Sequence, residues 1–114
     1  MAALSPKHLF LALFLNYQKL TVVRPAFRQV EVTLPDGTRC DCLTDTHAIE
    51  FDFGDGWAEA IGQSAYYSLQ TKKKPGVVLI LETTKDRKYW IRLNTTIEHF
   101  YLPTDTWSDG NASY

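Results

Sequence analysis

The sequence predicts an α/β domain in which a mixed sheet carries helices on both faces. Three observations lead there. Gln29–Leu34 (QVEVTL) sets Val30, Val32 and Leu34 against Gln29, Glu31 and Thr33, the alternation of a half-buried strand. Val77–Leu81 (VVLIL) is an unbroken apolar run bounded by a turn, as in a central strand buried on both faces. Between the strand-like Ala48–Phe53 and that run lies a helical stretch, Trp57–Gln70. A strand–helix–strand step needs a crossover, and hence a parallel pair.

The elements follow in order. Ser5 and Pro6 suit the N-cap and first turn of a helix over residues 6–19, whose apolar core is Leu9–Leu15. That run is far too short to span a bilayer. A cleaved secretion signal is the alternative, although Asn16-Tyr17-Gln18-Lys19 is a poor cleavage site. Leu20–Arg28 reads as a connector. Pro35-Asp36-Gly37 turns Gln29–Leu34 into a second strand, Thr38–Leu43, making a hairpin. Asp45-Thr46-His47 turns again into Ala48–Phe53, with His47 a turn residue or an auxiliary proton carrier. Gly54-Asp55-Gly56 breaks that strand. The helix Trp57–Gln70 packs through Trp57, Ile61, Ser64, Ala65 and Ser68, has Lys72–Lys74 at its end, and stops at Pro75-Gly76. A further helix runs from Thr84 to about Asn94, and Ile97–Leu102 (IEHFYL) alternates as a last strand. This gives one domain over residues 1–114, with a core at about 29–102 and a loosely held polar tail at 103–114.

Composition narrows the chemistry little. Net charge is -1, with 45% hydrophobic and 22% charged residues, which is ordinary for a globular domain. The distribution says more. Asp41, Asp45, Glu50, Asp52, Asp55 and Glu59 form a stretch with no Lys or Arg. Arg24, Arg28 and Arg39 precede it, and Lys72–Lys74, Lys85, Arg87, Lys88 and Arg92 follow. An acidic centre between basic flanks suits a cation site that meets a polyanion, or a solvated surface with segregated charge. Cys40 and Cys42, two apart on one strand, are expected on one face as buried thiols and not as a disulfide. That fits a reducing cytoplasm, with secretion as the alternative. Asn94-Thr-Thr and Asn111-Ala-Ser match the glycosylation pattern, which matters only in a secreted chain. No P-loop, dinucleotide fingerprint or zinc spacing occurs in the sequence.

The candidate site lies at the centre. Glu50 and Asp52 share a strand face, and Asp41 falls beside them if the turn at residues 44–47 pairs the strands in register. Converging carboxylates are what Mg2+ takes as ligands, with water and substrate phosphate completing the shell. A solvated face of an antiparallel strand alternates in the same way. On the helix, Glu59, Gln63 and Tyr67 recur every four residues along one stripe. Gln63 and Tyr67 could position a phosphate or base, and Glu59 could support the metal ligands from behind.

The stretch GTRCDCLTDTHAIEFDFGDGWAEAIGQSAYY resembles the core of the PD-(D/E)xK nuclease superfamily, most of all its small stand-alone bacterial and phage members. The likeness covers about residues 29–102 and is sharpest at 37–67. It implies a three-layer α/β/α sandwich of restriction-endonuclease type that hydrolyses nucleic-acid phosphodiesters with Mg2+ or Mn2+. Asp41 matches the metal-binding Asp, Glu50 the (D/E)xK carboxylate, and Gln63 with Tyr67 the QxxxY element. DNA stands ahead of RNA as substrate, and a homodimer is one expectation, because nucleases of this size often use a second subunit to cut a duplex. The motif lysine is missing: Asp52 stands in its place, and Gly56 occupies the position before the Trp where similar proteins often carry a lysine. Either Asp52 assists, through a second ion, or the domain is a non-catalytic module binding nucleic acid or protein.

Overall fold

A computed structural model of the chain describes residues 29–110. The expected helix at residues 6–19, the connector after it and Asn111 lie outside them. β1 (Gln29–Thr33), β2 (Arg39–Leu43) and β3 (His47–Phe53) form an antiparallel meander. A short 3-10 turn, Gly54–Gly56, leads into α1 (Trp57–Thr71). β4 (Lys74–Ile80) then lies parallel to β3. A second 3-10 turn opens α2 (Arg87–His99), and β5 (Asp105–Asp109) lies parallel to β4. The result is an α/β fold with a five-stranded mixed sheet in the order β1-β2-β3-β4-β5.

Both described helices cover one face of the sheet. Ala60 of α1 and Leu93 and Ile97 of α2 pack on Val77, Leu79 and Leu81, with Trp57 and Trp90 alongside. Cys42, Ile49, Phe51 and Val78 form a second cluster from the alternate strand positions, against which Trp107 packs. The β4–β5 contact is close at one point. A Cβ on Gly76 would stand 2.9 Å from the Trp107 ring and 3.1 Å from Ile49, so only glycine leaves room for the indole to cross β4.

Two expectations at the C-terminal end are corrected. Ile97–Leu102 is not a strand. α2 continues to His99, because Leu93 and Ile97, four apart, extend its buried stripe. The helix ends where Tyr101 turns left-handed (φ 54°) and the Leu102 N–H bonds back to the Ile97 carbonyl at 3.0 Å. The last strand instead comes from the supposed tail. DTWSD hydrogen-bonds to β4 along its length, and Thr106 Oγ1 donates to Asn94 Oδ1 at 2.6 Å, tying β5 to α2. Asn94 also gives its amide to the Trp90 carbonyl at 2.9 Å. A glycan on that amide would break the contact.

Smaller departures have local causes. α1 stops at Lys72, a left-handed cap (φ 58°) whose N–H bonds to the Ser68 carbonyl, so Pro75-Gly76 falls inside β4. Its buried stripe includes Ala60, Ser64 and Tyr67 and leaves Ala65 exposed, because a tyrosine ring removes more apolar surface from water than a methyl group. Cys40 and Cys42 are both buried free thiols, but they join different clusters. Cys40 packs with Leu34, Ala48 and Tyr67. The break in alternation coincides with a left-handed Glu31 (φ 50°), between their β1 partners Val30 and Val32.

Candidate metal and substrate site

β2 and β3 pair through Cys42↔Ile49 and Leu43↔Ala48. Past those pairs the two carboxylates bridge the strands. The Asp41 N–H donates to Glu50 Oε1 at 3.1 Å, and the Phe51 N–H donates to Asp41 Oδ2 at 3.0 Å. Both side chains are buried, Asp41 at 5% and Glu50 at 2% relative exposure. Charge-assisted bonds from backbone N–H groups offset part of the cost of removing carboxylates from water. Their influence reaches Cys40. Burial, and then the Glu50 charge, push that thiol up to about 12, away from the thiolate form a nucleophile needs at neutral pH.

Asp52 is half-buried at the C-terminal end of β3, and its Oδ1 accepts the Phe53 N–H at 2.9 Å. Its carboxylate lies directly over Gly56. A Cβ on Gly56 would be 2.5 Å from Asp52 Oδ2. The two positions at which the expected lysine is missing are therefore in contact. Lys73 and Lys74 are not substitutes. Lys73 Nζ donates to the Asp45 carbonyl at 3.0 Å, and Lys74 Nζ pairs with Asp105 at 3.2 Å, both at the start of β3. At roughly 3.3 Å per residue, His47 and Asp52 stand about 16 Å apart along the strand.

The helix stripe divides. Glu59 is exposed, and Gln63 Nε2 approaches its Oε1 at 3.4 Å. Tyr67 is buried at 7% exposure against Leu34, Cys40 and Ala48, so its ring is core packing. The structure thus brings Asp41 to Glu50, Asp52 to Gly56 and Glu59 to Gln63. Among the described residues no group of three His, Cys, Asp or Glu side chains converges as a ready-made metal cage. Nor is any described helix long and apolar enough to cross a membrane.

Two polar clusters escaped sequence reasoning because their members lie far apart in the chain. Asp36, at the β1–β2 turn, accepts from Thr38, from Tyr66 Oη and from Gln70 Nε2 at 2.6 Å, which ties the hairpin tip to α1. Bonds from Thr38 and then Tyr66 hold its carboxyl below the ordinary range, while the Tyr66 hydroxyl is raised by the Asp36 it donates to. His47, expected in a turn, opens β3 and is buried. Its Nε2 meets Asp105 Oδ2 at 2.7 Å, its Nδ1 meets Thr46 Oγ1 at 2.7 Å, and Trp107 packs edge-on at 5.6 Å.

The His47 contact links β3 to β5 across β4. Burial alone would raise Asp105, but hydrogen bonds from His47 and Lys74 outweigh it and hold the carboxyl below 3.8. A depressed folded value gives stability that is present above pH 3.8 and is lost as pH falls through the folded value. Asp105→Asn is therefore expected to flatten the acid limb of the stability curve. The cost at neutral pH should be about 1 kcal/mol or less, because the group is partly exposed. Urea unfolding from pH 7 down to about pH 2 checks this, and an unchanged acid limb would remove Asp105 from the account.

No protein-family model, curated protein or solved structure matches the chain.

Proposed function

We propose that this chain is a metal-dependent nuclease-like domain of restriction-endonuclease type, hydrolysing phosphodiester bonds of nucleic acid, with turnover limited by the missing lysine. One observation carries the reading: across the opened β2–β3 pair the buried Asp41 and Glu50 carboxylates each accept a backbone N–H of the facing strand. Their chemistry fits Mg2+ or Mn2+, since both offer hard oxygen donors at a place where burial strengthens attraction to a cation. When bound, the ion would polarise the phosphoryl group and acidify a water. Asp41 and Glu50 would hold it, and the backbone N–H groups of Asp41 and Phe51 fix how the carboxylates point. Asp52 would assist from the end of β3. Gln63 and Glu59 would meet substrate at the helix surface, and Tyr67 would set the position of α1 behind them.

The experiment combines thermal unfolding with cleavage of labelled single- and double-stranded DNA and RNA, in Mg2+, Mn2+ or EDTA. Glu50→Gln retains an acceptor for the Asp41 N–H and removes the charge. The variant is expected to fold, to lose metal-dependent stabilisation (about 2.7 kcal/mol for the wild type at a hundredfold excess over Kd), and to lose cleavage by on the order of 100-fold or more. If the wild type neither gains stability from either ion nor cuts any substrate, the metal reading is wrong.

A second reading is favoured by the contact between Asp52 and Gly56, which fills the place a lysine would need. The fold would then serve as a non-catalytic module. Binding of nucleic acid without cleavage selects it.

A further inference from the structure

Exposed cations cluster around the first turns of α2. The N-terminus of a helix is the positive end of its dipole and is stabilised by acidic side chains. The 3-10 turn that opens α2 supplies one acid, Asp86, which forms a capping box with Thr83, and α2 itself begins Arg87-Lys88. Asp86, just ahead, spends Oδ2 on the N–H groups of Glu82 and Thr83, at 2.8 and 3.3 Å. Lys85, Lys88 and Arg92 are spaced three and four apart, so they lie on one side of the helix start, and all three are exposed. Among the described residues none of the three is in an ion pair. Two of them are instead arranged on an aromatic ring: Lys88 Nζ lies 5.1 Å and Arg92 Cζ 5.6 Å from the Tyr89 centroid. The ring in turn sits on Gly54, where an added Cβ would be 2.8 Å from Tyr89 Cδ2. Tyr89 also lines a polar cleft of about 130 Å3 with Phe53, Gly54, Asp55, Glu82 and Asp86, at the end of β3 that carries Asp52.

Lys85, Lys88 and Arg92 form no ion pair among the described residues, and two of them are steadied on a ring wedged beside the candidate site. We propose that Lys85, Lys88 and Arg92 form a stripe that binds the phosphate backbone of one nucleic-acid strand and leads it past Tyr89 to the end of β3. The inference rests on the proposed function for its choice of polyanion and adds to it the surface that receives the substrate. From Lys85 to Arg92 the helix advances about 10 Å, a length over which one strand of a duplex carries roughly three phosphates.

The test is fluorescence anisotropy with labelled single-stranded and duplex DNA, in EDTA, over a salt series starting near 50 mM. Lys88→Gln/Arg92→Gln is expected to weaken binding at least tenfold at low salt, and to reduce the slope of log K against log salt by about 1.5. Lys72→Gln/Arg39→Gln, which removes two exposed cations elsewhere, should change the slope by much less. All variants alter surface residues, and circular dichroism confirms the fold. Equal affinity and slope for the α2 variant and the wild type would overturn the proposal, as would a control pair that weakens binding as much. Because no metal is present, these outcomes concern the stripe alone. Failure to cleave DNA that is still bound would count only against hydrolysis.

Discussion

Asp52→Lys is expected to raise Mg2+-dependent cleavage of DNA by on the order of 100-fold, the usual worth of one correctly placed stabilising group in the transition state. Residues 50 and 52 share a strand face, so a lysine there returns a cation to the side of Glu50 from which the resemblance says it is missing. The position tolerates the change. Asp52 is only half-buried, its Oδ1 accepts from the adjacent Phe53 N–H, and a lysine stem can lie along apolar surface while its head stays solvated. Gly56→Lys should do much less, because its Cβ would begin 2.5 Å from the Asp52 carboxylate and force that group aside. Asp52→Gly/Gly56→Lys removes the obstruction and is expected to recover part of the gain. Release of label from a DNA substrate measures all three. A folded Asp52→Lys protein no faster than the wild type would mean that the missing lysine is not what limits turnover.

Phe51→Ala should cause the largest loss of stability, about 3–5 kcal/mol, out of the 5–15 typical of a domain. Phe51 has no exposed surface and packs with Cys42, Ile49 and Val78, so its removal leaves a cavity at the centre of the sheet. Urea unfolding gives the number. A change below about 1 kcal/mol would show that the neighbours collapse into the space. The substitution also bears on the site, since the Phe51 N–H holds the Asp41 carboxylate and sits between Glu50 and Asp52. Metal affinity should therefore weaken in a variant that touches no ligand.

Much of the sheet was legible because its signals are local. The alternation in QVEVTL, the turn at Pro35-Asp36-Gly37 and the run VVLIL each specify a strand within a few residues, and the observed β1, β2, β3 and β4 follow them. The approach of Asp41 to Glu50 was also readable, because one short turn sets their register. What failed depended on distant partners. IEHFYL alternates, but Ile97 had a better place over the sheet beside Leu93, and no local pattern distinguishes the two. DTWSD looks like a tail until Gly76, far back in the chain, opens a seat for Trp107. His47 had no visible role because Asp105 is 58 residues away. Tyr67 matched a functional motif by spacing, yet its burial came from Leu34, Cys40 and Ala48 on other elements.

The opened β2–β3 pair also bears on the order in which the molecule can assemble. Nine residues separate Asp41 from Glu50. By contrast, 27 separate His47 from its partner Lys74, and 29 separate Gly76 from Asp105. Loop-closure entropy grows with the logarithm of length, so bringing the carboxylates together costs about 1 kcal/mol less than forming either parallel pair. The meander can therefore close while α1 and α2 are still finding the sheet, and the parallel strands dock on a template whose acidic centre is already in register.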